Sequence, residues 1–185
     1  MLVRPATPDD VPVLNVLIAR SAHELSRGFY DEQEIASAIK YVFGVDTTLI
    51  ADRTYFVVVD GELVLGCGGW SRRRALYGGD QRPVGSVDDF LDPHCDAARI
   101  RAFFVAPEAA RRGVGRQLLD ACTRAAQDAG FTQLELMATL PGVPFYRTQG
   151  FVDLEAVTDT LPDGVPLRFI RMSRTLPPPD DARAP

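Results

Sequence analysis

The sequence has few cysteines, few histidines and no long hydrophobic run. Its three cysteines, Cys67, Cys95 and Cys122, are too few and too scattered for a disulfide framework or a zinc site, which favours a reducing compartment. The first residues lack the apolar core of a signal peptide, and no apolar run approaches the roughly 20 residues that span a bilayer. We therefore expect a cytoplasmic protein with no membrane partner and no metal.

The sequence also contains fewer basic residues than acidic residues. Twenty Lys and Arg residues against 25 Asp and Glu residues give a net charge of −5, which argues against nucleic acid as a partner. The 185 residues fit one domain, because domains usually contain roughly 100–200 residues. A hydrophobic fraction of 46% is enough to build a real core.

One stretch near the middle of the chain changes its periodicity. Ile100 to Val105 is short, apolar and rich in aromatic residues, which predicts a buried strand that ends before Pro107. The following apolar residues recur at helical spacing and predict a long helix that ends at Gly130. This apolar stripe comprises Val114, Leu118, Cys122, Ala125, Ala126 and Ala129.

The loop between this strand and this helix is basic and contains two glycines. The first amides of a helix have no intrahelical partner, and with the helix dipole they form an anion site. The glycines leave room for phosphate oxygens to approach the backbone, and the arginines supply forked donors. The candidate phosphate-binding residues are Arg111, Arg112, Gly113, Val114, Gly115 and Arg116. The alternative for the same pattern is an ordinary exposed helix start.

This strand and loop resemble the acyl-CoA-binding signature of the GNAT acetyltransferase superfamily, which follows a strand ending in Val-x-Pro. Here Val105-Ala106-Pro107 supplies the strand end, whereas Ala110 stands where the family usually has Gln or Arg. The resemblance implies acetyl-CoA as cosubstrate, with its pyrophosphate in the loop. It also implies that the pantetheine arm lies along Phe103, Phe104 and Val105.

A second motif about thirty residues further on resembles the closing helix of the same superfamily. Phe145, Tyr146, Gly150 and Phe151 match its pattern. The resemblance implies that Tyr146 is the general acid that protonates the departing thiolate. A phenol with a pKa near ~10 and a thiol near ~8.5 are close enough for that transfer. The alternative is a Tyr that only packs at the end of the helix.

The order of the remaining elements fits this resemblance. Leu2 to Pro5 predicts a first strand, Asp31 caps a second helix, and Asp60-Gly61 predicts a hairpin turn. The expected architecture is α/β (α+β), the acyl-CoA N-acyltransferase fold, with a central mixed, mostly antiparallel, splayed sheet and helices on both faces. We expect one GNAT domain over residues 1–175 and a Pro-rich, disordered tail over residues 176–185. Homodimers are common in the family.

The general base is not apparent in the sequence. Many relatives carry a Glu on the strand before the phosphate loop, but here Arg99 stands there and no carboxylate follows before Val105. Either another residue acts, directly or through water, or the substrate amine has a low pKa. The other candidates are Glu24, Asp92, His94 and Glu135. Arg99 and Arg101 are expected to pair with aspartates of the long loop after residue 71, the alternative being attraction of an acidic acceptor.

The connection from residue 71 to residue 98 is long and has no sustained periodicity, which predicts a flap over the acceptor end of the site or a solvated insertion. The sequence as a whole predicts an N-acetyltransferase that transfers acetyl from acetyl-CoA to a primary amine of a small molecule by direct attack in a ternary complex. Acetylation of a protein or peptide, and a non-catalytic acyl-CoA sensor, are the alternatives. The acceptor itself stays unidentified.

Overall fold

A seven-stranded sheet forms the centre of the computed structural model, which describes residues 1–81 and 89–177. Within those residues the strands are β1 Leu2–Pro5, β2 Tyr55–Asp60, β3 Leu63–Ser71, β4 Ala98–Val105, β5 Gln133–Thr139, β6 Val152–Thr160 and β7 Pro166–Thr175. The helices are α1 Val11–Leu25, α2 Glu32–Tyr41, α3 Thr47–Ala51, α4 Val114–Asp128 and α5 Val143–Thr148.

Local sequence signals account for the start of most of these elements. Asp31 accepts a hydrogen bond from the Glu34 amide, and the Glu34 carboxylate reaches back to the Asp31 amide at 2.8 Å, so a capping box begins α2. Gly61 has a φ of 60° in the turn between β2 and β3, as an Asp-Gly hairpin requires. Gly130 has a φ of 89° just after α4, which confirms the predicted C-terminal glycine.

Helix α3 was not predicted from the sequence. Asp46 caps it by accepting from the Leu49 amide, and Leu49 and Ile50 are buried. Five residues are too few to display a helical period, because a turn contains 3.6 residues. Short buried helices of this kind are held by tertiary packing and therefore escape pattern analysis.

The strand order is β1-β2-β3-β4-β5-β7-β6, and β4 and β5 are the parallel neighbours among the described strands. All other neighbours are antiparallel, which confirms the predicted mixed, mostly antiparallel sheet. Pairing between β4 and β5 is limited to Ala98 with Leu134 and Arg99 with Glu135. Beyond these residues the two strands diverge, so the sheet splays at its centre as predicted.

A bulge distorts β4 where it passes β3. Cys67 pairs with Phe104 and Gly69 pairs with Arg101, so Ala102 and Phe103 both lie opposite Gly68. Ala102 has a φ of 53°, and its carbonyl accepts the buried Tyr55 hydroxyl at 3.1 Å. A Cβ atom at Gly68 would lie 2.4 Å from the Phe103 ring. The bulge therefore requires a glycine on the facing strand.

The long connection after β3 is anchored on the helical side of the molecule. Arg73 binds Asp52 at 2.8 Å, and the Asp80 carboxylate accepts from the Thr47 amide at 2.9 Å. These contacts hold residues 72–81 against α3 and the segment before it. Residues 82–88, the middle of the predicted flap, lie outside the described residues.

The ordered core continues past the end of β7. Leu176 is buried, and its amide donates to the Thr132 carbonyl at 2.8 Å. The sequence analysis places this residue in the tail, whereas the packed chain extends at least to Leu176. Residues 178–185 of the predicted tail lie outside the described residues.

Candidate functional site

A cavity of about 470 Å³ opens where β4 and β5 diverge. One wall comes from β4, the opposite wall from β5 and α5, and one end from the N-terminus of α4. Leu76 to Gly78, from the long connection, and Phe43 and Gly44, which follow α2, also line the cavity. The cavity thus links the predicted phosphate loop to the predicted flap.

The α4 end of the cavity offers backbone donors. Arg111 has a φ of 65° and Gly113 a φ of 83°, so the chain enters the helix through two left-handed residues. No side chain caps α4, and in the described part of the chain no protein group accepts from the amides of Gly113, Val114, Gly115 and Arg116. These orphan donors are concentrated where the helix dipole is positive, which is the geometry of an anion site.

The arginines of this loop divide into two groups. Arg111 and Arg116 line the cavity, whereas Arg112 is exposed and does not belong to the wall. Arg116 also lies 3.8 Å from Asp120 on the next turn of α4. Gly115 lies beneath α5, where an added Cβ would meet the Phe145 ring at 3.3 Å. The glycine at 115 thus permits close approach of α4 to α5.

The edge of β4 presents its backbone to the cavity. The Ala106 amide donates to the Leu65 carbonyl of β3 at 2.9 Å, and amides of successive strand residues point to opposite edges. The Val105 amide therefore points away from β3, towards the gap left by β5. Phe103, Phe104 and Val105 all line this gap.

Tyr146 lies in the wall opposite β4. Its ring contacts Phe103, Phe145 and Phe151, with centroid distances of 6.4, 5.1 and 5.5 Å. Within the described residues its hydroxyl has no hydrogen-bond partner, and the side chain lines the cavity. Burial raises the pKa of the Tyr146 phenol above its usual value, so this group is a protonated donor at neutral pH.

None of the four candidate bases lines the cavity. Glu135 is held by Arg99 at 2.6 Å and by Arg171. Burial by itself would raise the pKa of the Glu135 carboxyl, but the Arg171 hydrogen bond and the Arg99 charge outweigh burial and lower this pKa. Glu24 lies on α1, 3.9 Å from Arg20. The two remaining candidates form a local turn, in which the His94 amide donates to the Asp92 carboxylate at 3.0 Å.

The two β4 arginines are paired, but their observed partners differ from the predicted ones. Arg99 pairs with Glu135 of β5, and Arg101 pairs with Asp46 of the α3 cap at 2.8 Å. Arg101 also donates to the Gly78 carbonyl at 3.0 Å. Burial lowers the pKa of Arg101 and raises that of Asp46, as expected when two opposite charges leave water together. The expectation of partners in the long loop was wrong except for this backbone contact.

Aromatic side chains from several segments of the chain also line the cavity. Phe43 and Phe104 meet edge-to-face with centroids 5.6 Å apart, and Tyr77 contacts Phe169 at 5.2 Å. The Tyr77 hydroxyl donates to the Asp159 carboxylate at 3.0 Å. Phe43 and Phe169 were not identified as site residues from the sequence, because only the tertiary fold brings the segment after α2 close to β7.

Comparison with known proteins agrees with this architecture. The sequence profile described as acetyltransferase (GNAT) domain matches residues 51–153, more than half of the chain. The chain therefore belongs to the GNAT acetyltransferase family. It is an acetyltransferase with the acyl-CoA N-acyltransferase fold.

Solved structures with this fold superpose over nearly the whole chain. A GCN5-related N-acetyltransferase from Rhodopseudomonas palustris has a TM-score of 0.69 and 21% identity, with 95% of each chain covered. PaiA N-acetyltransferase from Thermoplasma acidophilum, solved with coenzyme A, has a TM-score of 0.63 and 14% identity, covering 94% of this chain and 98% of that one. Ribosomal-protein-alanine N-acetyltransferase from Brucella melitensis has a TM-score of 0.62 and 18% identity, covering 95% and 100%. Comparison with curated proteins finds no match.

Two structural features are absent from the described residues. No helix among them is long and apolar enough to cross a membrane. No group of three or more His, Cys, Asp or Glu side chains within residues 1–81 and 89–177 is arranged to hold a metal ion.

Proposed function

We propose that this protein transfers acetyl from acetyl-CoA to the primary amine of a small molecule, by direct attack in a ternary complex. The observation that carries the proposal is the set of unpaired amides from Gly113 to Arg116 at the end of the cavity. Such a set of donors accommodates a pyrophosphate, and the adjoining gap along β4 has room for an extended pantetheine arm. The coenzyme A reported with the PaiA structure supports the same ligand.

Two groups facing the gap suit acyl transfer. The Val105 amide points into the gap and is available to polarise the thioester carbonyl, as an oxyanion-hole donor does. Tyr146 lies across the cavity with a protonated hydroxyl and no protein partner in the described residues. We assign to it the donation of a proton to the departing sulfur.

The long connection contributes to the wall at the acceptor end, which favours a small molecule over a folded protein or a long peptide. Leu76, Tyr77 and Gly78 form part of the wall and are held by the Arg101 and Asp80 contacts. The cavity of about 470 Å³ must contain both the acyl arm and the acceptor amine. The three unpaired cysteines fit a reducing compartment such as the cytoplasm.

The test of the proposal is calorimetric titration of acetyl-CoA with a matched pair of glycine variants. Gly113 and Gly164 have φ values of +83° and +85°, and a Cβ would meet nothing within 4 Å at either site. Gly113→Ala and Gly164→Ala should therefore suffer similar backbone strain of about 1–2 kcal/mol. We expect the Gly113 variant alone to bind acetyl-CoA at least about tenfold more weakly, an effect of roughly 1.4 kcal/mol.

Failure of the wild-type protein to bind acetyl-CoA would contradict the proposal. Equal weakening by both glycine variants would show that strain, and not the phosphate loop, determines affinity. Thiol release that depends on an added amine then establishes catalysis.

A non-catalytic acyl-CoA sensor is the second candidate. The observation in its favour is that no Asp, Glu or His among the described residues lines the cavity, so no side chain there is an evident base. A sensor would bind acetyl-CoA with the same dependence on Gly113 but release no thiol with any amine.

A further inference from the structure

The acceptor end of the cavity, where the long connection meets β7, is lined by aromatic side chains. Phe43 packs edge-to-face on Phe104, and the Tyr77 ring contacts Phe169. Met137 and Thr139 complete the wall from β5, and Thr139 is paired with Phe169 of β7, so these side chains share one face of the sheet. An acceptor that enters this space exchanges water for ring faces, ring edges and aliphatic carbon.

The charges on the wall have one sign. Among the described residues that line the cavity, the charged ones are Arg101, Arg111 and Arg116. Arg101 is nine-tenths buried and neutralised by Asp46 at 2.8 Å, while the other two lie at the phosphate end. The Asp159 carboxylate does not line the cavity, but it accepts a hydrogen bond from the Tyr77 hydroxyl at 3.0 Å. An ammonium ion would find no counter-charge in the described wall.

We propose that the acceptor is an aromatic amine of the aniline type, which is uncharged at neutral pH. This inference rests on the proposed acetyltransferase function. An alkylamine with a pKa of ~10.4 is neutral in only about one molecule in 2,500 at pH 7. Such an alkylamine would have to lose both its hydration and a proton before it attacks the thioester, and the described cavity wall offers neither an anion nor a base to compensate. An aniline reaches the cavity with its nitrogen lone pair already available.

The reaction balances without a carboxylate base. The amine nitrogen forms the new bond to the acetyl carbon, and the carbon–sulfur bond breaks with its electron pair on sulfur. Tyr146 donates its proton to that sulfur, and the proton shed by the nitrogen restores the phenol. The products are an N-aryl acetamide and a free thiol, with no net uptake or release of protons. Sequence reasoning left a low-pKa amine as one of several ways around the missing base, and the wall favours this one.

The test compares three small amines at pH 7, with thiol release from acetyl-CoA as the readout. Aniline is aromatic and weakly basic, benzylamine is aromatic and strongly basic, and cyclohexylamine is neither aromatic nor weakly basic. We expect aniline to exceed both others in kcat/KM by at least about tenfold, given the small neutral fraction of the alkylamines. A kcat/KM for benzylamine equal to or above that for aniline would overturn the inference.

A designed pair of variants tests the charge argument directly. Met137→Glu places a carboxylate in the wall, and Met137→Gln is its isosteric neutral control. The Glu variant should shift the ratio of benzylamine to aniline turnover at least about tenfold towards benzylamine, because its carboxylate both attracts the ammonium and accepts its proton, and a general base contributes about 10²–10⁴-fold. The Gln variant should retain the wild-type preference. An unchanged ratio in a folded Glu variant would contradict the role of wall charge.

Failure of this inference is distinguishable from failure of the proposed function. No binding of acetyl-CoA by calorimetry would contradict the acetyltransferase site itself. Binding of acetyl-CoA with release supported by cyclohexylamine but not by aniline would leave the acetyltransferase intact and overturn only the acceptor class. Binding with no release for any of the three amines would overturn the acceptor class as well.

Discussion

Replacing Tyr146 by Phe separates chemistry from binding and folding. The Tyr146 side chain packs against three phenylalanines, and in the described residues its hydroxyl has no protein partner. Removing one oxygen therefore breaks no protein hydrogen bond and creates no cavity larger than that atom. We expect the free energy of unfolding to change by less than about 0.5 kcal/mol.

The expected loss of turnover follows from the pKa of the phenol. General acids typically contribute about 10²–10⁴-fold to a rate. The coenzyme thiolate, whose thiol has a pKa near ~8.5, is a weaker base than an ordinary phenolate, whose phenol has a pKa near ~10. Burial raises the pKa of Tyr146 further. Full proton transfer to the thiolate is then uphill, so we expect the lower end of the range, about 10²-fold.

The assay is amine-dependent thiol release under single-turnover conditions, so that product release does not mask the chemical step. Acetyl-CoA affinity, measured by calorimetry, should stay within about twofold of wild type because no contact to the phosphate loop changes. Tyr30→Phe is the matched control. Its hydroxyl donates to the Arg168 carbonyl at 2.5 Å and accepts from the Leu140 amide at 2.9 Å, so this variant should lose stability and keep turnover per folded molecule.

The result that refutes this reasoning is a Tyr146→Phe enzyme whose single-turnover rate lies within about threefold of wild type. The pH dependence gives an independent check. Because the pKa of Tyr146 is raised, its phenol stays protonated through pH 9, and wild-type turnover should show no descending limb below that pH.

Three other substitutions test how the scaffold supports the site. Tyr55→Phe removes the hydroxyl that holds the Ala102 carbonyl in the bulge. We expect the free energy of unfolding in urea to fall by about 1–2 kcal/mol, and kcat to fall by a larger factor than the acetyl-CoA dissociation constant changes. An unchanged kcat would exclude a positioning role for this hydroxyl. Leu118→Ala in the fully buried face of α4 should cost about 2–5 kcal/mol, measured by urea unfolding, and a smaller cost would mean that the site collapses. The Arg4 hydrogen bonds lower the pKa of Asp10 from 3.8 to about 2, so the pair stabilises the fold above pH 3.8 and loses this effect as the pH falls towards 2. Asp10→Asn should therefore lower the free energy of unfolding by about 1–2 kcal/mol at pH 7, a value reduced because Arg4 is partly exposed, and should lower it little near pH 2. A loss of stability that does not depend on pH would contradict this linkage.

Local signals predicted the elements whose causes are local. The capping box at Asp31, the hairpin at Asp60-Gly61 and the glycine after α4 each depend on a few adjacent residues, and the structure has all three. The same holds for the α4 start, where two positive-φ residues and unpaired amides occur in the predicted loop. These local signals determine the structure because no tertiary contact of the described residues favours a different conformation at these positions.

The features that pattern analysis missed arise from contacts between distant segments. Helix α3 is too short to show a period, and it is fixed by burial of Leu49 and Ile50. The true partner of Arg101, Asp46, lies 55 positions earlier in the chain. The bulge in β4 depends on Gly68 of the facing strand and on Tyr55 of the strand beyond it. No single window of sequence contains these relationships.

One β-α-β unit explains why the pieces of the candidate site lie together. β4 and β5 are parallel, so α4 must return the chain to the same edge, and its N-terminus then lies at the carboxyl end of β4. The phosphate loop and the Val105 amide are thus adjacent as a consequence of topology. Because pairing stops after Arg99, a gap opens between the two strands, and the same cavity includes the aromatic side chains of Phe43, Tyr77 and Phe169. At the last pairing before the gap, Arg99 binds the carboxylate of Glu135, so this position offers no free carboxylate as a base. The proposed acceptor, whose nitrogen is already neutral, agrees with a cavity whose described lining contains no Asp, Glu or His.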